Sequence, residues 1–151
     1  MDEIVQKFLR GTGPVLCVDI GSGTQDALLA RPGLECENWP RFVLPAPARL
    51  VAQRIRELTL LKRNIWLYGA NMGGGFTQAI KEHLAAGLSV SATAAATRGI
   101  HDNEEVVRKI GVEVRSSCPD GSVPVFLTDY SPEFWGGLLR HAGLPLPHLV
   151  L

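Results

Sequence analysis

Apolar residues recur at helical spacing in the first segment, where Ile4, Val5, Phe8 and Leu9 predict a short amphipathic helix over residues 2–10 that stops at Gly11 and Gly13. The unbroken run Val15-Leu-Cys-Val-Asp-Ile20 then predicts a buried strand, and Gly21 and Gly23 predict a tight turn after it. Only Asp26-Ala-Leu-Leu-Ala-Arg31 follows before Pro32-Gly33 interrupts the chain. That is too short for a helix of several turns and suits a return strand. Arg41-Phe-Val-Leu-Pro45 is a third strand, closed by Pro45 and Pro47.

Helical periodicity returns in residues 48–62, where Leu50, Val51, Ile55, Leu58 and Leu61 or Leu60 share a face and Arg54, Arg56 and Glu57 lie largely outside it. Asn64–Gly69 reads as a strand, and a helix is expected from Met72 through His83 to Ala86, with Gly87 as its stop. Ser89–Ala96 is the next strand candidate. Asp102-Asn-Glu-Glu105 has the spacing of a capped helix start, with Asp102 as the N-cap and Gly111 as the stop. Val112–Val114 and Val123–Leu127 are read as strands around a loop at Cys118–Ser122, and a last helix runs from Pro132 to His141 with Ser131 as N-cap. This order gives an α/β fold in which the first three strands are sequential and antiparallel and the later ones follow helices. It predicts a ribonuclease-H-like lobe of the actin-like ATPase type, a mixed sheet flanked by helices, rather than a uniformly parallel doubly wound sheet.

Length and composition narrow the picture. With 151 residues, 46% of them hydrophobic, the chain is expected to form a single domain over residues 1–151. Fifteen basic residues balance fifteen acidic ones, and no Lys/Arg stripe is present, which disfavours nucleic acid as a partner. The N-terminal segment lacks the layout of a secretory signal, which suggests a cytoplasmic protein. The uncharged stretch Leu84–Thr97 is too short and too polar to span a bilayer, so no membrane association is expected. Cys17, Cys36 and Cys118 lie far apart and read as reduced thiols, which leaves no ligand run for zinc or an iron–sulfur cluster.

The densest chemistry lies in Cys17-Val-Asp-Ile-Gly-Ser-Gly-Thr-Gln-Asp26. Glycines at 21 and 23 leave backbone N–H groups unshielded by Cβ atoms, the makings of an anion nest. Gly21, Ser22, Gly23 and Thr24 are therefore candidates to bind phosphate. Asp19 is placed to hold Mg²⁺, directly or through water, and Asp26 to support it. A plain Asp-capped turn is the bland alternative. An S-adenosylmethionine loop is another, but it requires a helix from about residue 25. A second Gly-rich stretch, Gly69-Ala-Asn-Met-Gly-Gly-Gly75, lies between a strand and a helix, so Gly73, Gly74 and Gly75 form a secondary anion-site candidate, although the spacing matches neither common nucleotide motif. Asn71 there is explained equally well as a turn former. His101-Asp102 is a weak acid/base candidate, because a capping Asp102 would be fully explained by structure. His83 and His141 lie on predicted helices, and Trp39, Trp66 and Trp135 are expected to pack in or beside the core.

Asp19-x-Gly21-x-Gly23-Thr24-x-Asp26 is similar to the phosphate hairpins of the actin, heat-shock chaperone and sugar-kinase superfamily. The resemblance implies Mg·ATP or another nucleotide phosphate as ligand, ATPase or kinase-like chemistry, and a second lobe to complete the site. The chain contains no second Asp-x-Gly-x-Gly string. It is therefore expected to be one lobe, cut short, completed by a partner or by self-association through the apolar end Leu144–Leu151. A non-catalytic interaction module of the same fold is the alternative. More of the chain, namely VDIGSGTQDALL, VLPAPARLVAQRI, GANMGGG, TRGIHD and LTDYSPEFWGGLL, resembles the N-terminal half of a bacterial and archaeal family with a domain of unknown function, often labelled a pyruvate formate-lyase activating enzyme. Such an activase needs a C-x₃-C-x₂-C run, which the spacing of the three cysteines does not provide.

Overall fold

Residues 3–72 and 74–151 are described by the structure, a computed structural model. In chain order they form α1 (Glu3–Thr12), β1 (Val15–Ile20), β2 (Thr24–Ala30), a 3₁₀ turn (Cys36–Asn38), β3 (Arg41–Pro45), α2 (Pro47–Leu60), β4 (Ile65–Gly69), α3 (Thr77–Ala85), β5 (Val90–Ala92), α4 (Ala94–Thr97), α5 (Glu104–Ile110), β6 (Val112–Val114), β7 (Val123–Leu127), α6 (Pro132–His141) and β8 (Leu149–Val150). The fold is mixed α/β. It divides into two compact units, residues 1–44 with 131–151 and residues 45–130.

In the first unit the Gly-rich turn does what its residues dictate, and β1 and β2 run antiparallel with Val15 opposite Ala30, Cys17 opposite Leu28 and Asp19 opposite Asp26. Residues 24–30 form a strand, not the helix an S-adenosylmethionine loop would require. The sheet order is β3-β2-β1-β8, with β8 parallel to β1. Leu9 of α1 is buried with Val15 and Ala30, and Trp39 packs against them while its indole N–H reaches the carbonyls of Arg31 and Leu34 at 3.2 Å. From α6, Trp135 and Leu139 are buried, and the Trp135 ring meets Phe42 edge-on at 5.9 Å. Ser131 caps α6 as expected, its hydroxyl accepting from the Phe134 N–H at 3.1 Å. The apolar end, expected from sequence to serve a partner or self-association, supplies β8: the Leu151 N–H donates to the Leu16 carbonyl at 2.9 Å, and its carbonyl accepts from the Val18 N–H at 2.8 Å.

The second unit is built on β4, β5, β6 and β7, all parallel, in the order β6-β5-β4-β7. The single mixed sheet expected from sequence is thus two sheets, and the second is wholly parallel. Its buried residues Ile65, Leu67, Val90, Val125 and Leu127 join Ile55 and Leu58 of α2, Ile80 of α3 and Val107 of α5 in one core. Three local expectations are corrected here. The helix expected from Met72 begins only at Thr77, because Gly74 and Gly75 take φ values of 88° and 67°, outside helical space. The strand expected over 89–96 ends at Ala92, where the Thr93 hydroxyl accepts from the Ala96 N–H at 3.2 Å and starts α4. The cap of α5 is Asn103, accepting from the Glu105 N–H at 2.8 Å, not Asp102. Among the described residues no helix is long and apolar enough to cross a membrane.

His83 on α3 is fully buried, and its Nδ1 lies 2.7 Å from the Thr59 hydroxyl of α2. Burial lowers its pKa from the ordinary 6.5, an effect partly offset by the Ser89 backbone. The unfolded chain therefore binds a proton at His83 that the folded chain resists, and stability falls as pH drops through 6.5. Urea unfolding as a function of pH is expected to show this loss in the native chain and a shallower loss in His83→Leu. Equal slopes would contradict it.

Candidate functional site

The β1–β2 hairpin rises from the buried pair Leu16 and Leu29 to an exposed tip. Because side chains alternate along a strand, Cys17, Asp19, Thr24, Asp26 and Leu28 share one face. The turn is closed by the Gly21 N–H donating to the Thr24 carbonyl at 2.9 Å. This takes one of the N–H groups expected in the phosphate cradle, while the Ser22 and Gly23 N–H groups at the tip make no backbone hydrogen bond among the described residues. A Cβ at Gly21 would crowd the Thr24 carbonyl at 3.3 Å, whereas nothing lies within 4 Å of the position a Cβ would take at Gly23. The space beside Gly23 is open to a ligand.

Asp19 and Asp26 occupy directly opposed positions in the ladder. Like charges so placed are destabilising unless something offsets them. The Thr24 hydroxyl donates to Asp26 Oδ2 at 3.2 Å, which satisfies one oxygen. Both carboxylates line a concavity of about 490 Å³, with Cys17 and Leu28 beside them and Arg41, Phe42, Val43 and Leu151 completing its wall. Two carboxylates at the mouth of a concavity form a donor set suited to Mg²⁺, which typically takes one or two carboxylates and fills its remaining positions with water and phosphate oxygens. Ser22, Gly23 and Thr24 of the hairpin tip are not among the residues that line this concavity.

In the second unit, the loop after β4 is fixed by a residue that sequence reasoning missed. Asp129, just beyond β7, accepts from Asn71 Nδ2 at 2.7 Å with one oxygen and from the Met72 N–H at 2.8 Å with the other. Asn71, read as a turn former, is buried and also donates to the Thr128 carbonyl at 3.4 Å. Gly69, with φ of 88°, brings β4 so close to the Leu127 carbonyl and the Phe126 ring that no side chain fits. Of the secondary anion candidates, Gly74 and Gly75 lie in the exposed segment before α3, and Gly73 lies outside the described residues. His101 does not face its neighbour Asp102; its Nδ1 accepts from the Asn103 N–H at 2.9 Å. The signal for Asp129 was only an acid directly after a strand, which long-range contact alone turns into a clamp.

Residues 72–151, more than half of the chain, match the family described as "Putative pyruvate format-lyase activating enzyme (DUF1786)", and the chain belongs to that family. The comparison with curated proteins and that with solved structures found no match. The matched segment begins after the hairpin. The cysteines do not fit the iron–sulfur cluster that the description implies: Cys17, Cys36 and Cys118 are scattered, and among the described residues no three His, Cys, Asp or Glu side chains gather as a metal site.

If the opposed carboxylates are a metal seat, neutralising one of them relieves repulsion and removes the seat together. Asp26→Asn is expected to raise the thermal midpoint without divalent cation, and Mg²⁺ is expected to stabilise the native chain but not the variant. Thermal melts with and without Mg²⁺ check this; equal Mg²⁺ stabilisation of both would contradict it.

Proposed function

We propose that this member of the family is the phosphate-binding lobe of an actin-like or sugar-kinase-like protein, taking Mg·ATP or a related nucleotide phosphate on the β1–β2 hairpin. The observation that carries the reading is the register of Asp19 against Asp26 beneath the open Gly23 tip, at the edge of one concavity. Asp19, on β1, would be the Mg²⁺-associated carboxylate, and Asp26, which accepts from the Thr24 hydroxyl, would support it. Ser22 and Gly23 offer their N–H groups to phosphate oxygens.

The first sheet supports a ribonuclease-H-like lobe. Its three sequential strands are joined by β8, which follows a helix and runs parallel to β1. A hairpin of this kind contacts one side of a nucleotide, so hydrolysis or phosphoryl transfer requires a second lobe to close over the other side. The lobe alone binds and orients the phosphate; Mg²⁺, when bound, neutralises charge on the phosphate oxygens.

Isothermal titration with Mg·ATP and Mg·ADP tests the proposal. Binding is expected for the native chain, weakened about tenfold or more by Asp19→Asn and by Gly23→Val, which lose a charged contact and fill the open tip. Absence of heat with the native chain, or unchanged affinity in both variants, would overturn it.

A further inference from the structure

Counted within the second unit, the parallel strands stand in the order third, second, first, fourth, so β4 has β5 on one side and β7 on the other. The chain leaving β4 runs through α3 to β5, while β7, on the other side of β4, is reached from β6 at the far edge of the sheet. In open parallel sheets such a reversal opens a crevice beyond the carboxyl ends of the strands, and ligands settle there. Here a cavity of about 320 Å³ occupies that position, walled by Ala70, Met72 and Ala95 and carrying the charged groups Arg98, Asp102 and Asp129. Its size falls at the small end of ligand pockets, which run to about 300–1,000 Å³.

The three charged groups are not equivalent. Asp129 spends both oxygens on the β4 loop and so builds the wall. Arg98 and Asp102 line the same cavity with opposite charges, yet neither side chain has a hydrogen-bonding or ion-pair partner among the described residues. A guanidinium and a carboxylate that line one cavity without pairing with each other form a recognition pair for a molecule that carries both an anion and a donor. Gly99 packs so closely against the loop after β4 that an added Cβ would lie 3.1 Å from the Asn71 carbonyl.

We infer that the cavity at the carboxyl ends of β4 and β7 binds a small organic anion bearing hydroxyl or ammonium groups, its anionic end on the Arg98 guanidinium and its donors on Asp102. A carboxylate and a phosphate ester present the same paired oxygens to the guanidinium fork, so either can supply that end. The cavity belongs to the second unit and the hairpin to the first, and the inference does not rest on nucleotide binding by the hairpin.

Amide NMR of the full chain, titrated separately with glycerol 3-phosphate and with glycerate, tests the assignment. Saturable shifts at Ala70–Met72 and Ala95–Arg98 are expected in at least one arm, and the arm that saturates identifies the anion. Arg98→Gln, at an exposed position, is expected to keep the native spectrum elsewhere and weaken binding about 10- to 100-fold. Asp19→Asn, on the hairpin, is expected to leave this binding unchanged. Silence at these amides in both arms, or native affinity in Arg98→Gln, would overturn the inference.

Discussion

The register of β1 against β2 is the constraint on which the first unit depends. Side chains alternate with a period of two, so a slip by one residue would carry Leu16 and Leu29 out of the interior and turn Asp19 and Asp26 inward. Burial of those two leucines, both fully enclosed, fixes the pairing that opposes the carboxylates. The hydrophobic interior thus imposes an electrostatically unfavourable arrangement at the tip. The proposed Mg²⁺ seat rests on this opposition of two carboxylates in the lining of one concavity.

β1 also carries β8 along its other edge, so the chain end is held by backbone bonds to Leu16 and Val18. The apolar side chains there remain outside: Leu149 and Val150 are each 38% exposed and Leu151 is 63% exposed. The second unit is organised differently. Its parallel strands are joined by helices that bury one continuous core, and the loops beyond the strands are free to carry polar groups. Asp129 clamps one such loop, which leaves Arg98 and Asp102 to face a cavity.

Much of this was legible in the sequence wherever local chemistry decides. Gly21, Gly23 and the Pro32-Gly33 stop revealed the hairpin, Ser131-Pro132 revealed the start of α6, and the spacing of Val51, Ile55 and Leu58 revealed α2. Non-local pairing was not legible. Nothing in Leu149-Val150 distinguishes a strand from a tail until β1 lies beside it, and no local pattern says that β4 to β7 form a sheet of their own. The late start of α3 was hidden because Gly74 and Gly75 are equally compatible with helix and with left-handed loop. Asp102 and Asn103 are both good capping residues, and the backbone geometry alone selected Asn103. For the candidate sites, the hairpin was visible because its residues are contiguous. The cavity around Arg98, Asp102 and Asp129 was invisible because its residues come from α4 and from separate loops after β4, α4 and β7.

The most direct measurement is a crystal structure of the chain grown with Mg²⁺ and a non-hydrolysable ATP analogue. Phosphate oxygens about 3 Å from the Ser22 and Gly23 nitrogens, with the metal beside Asp19, are the predicted result. Nucleotide bound elsewhere on the chain, with the hairpin tip facing only solvent, would contradict phosphate binding by this hairpin.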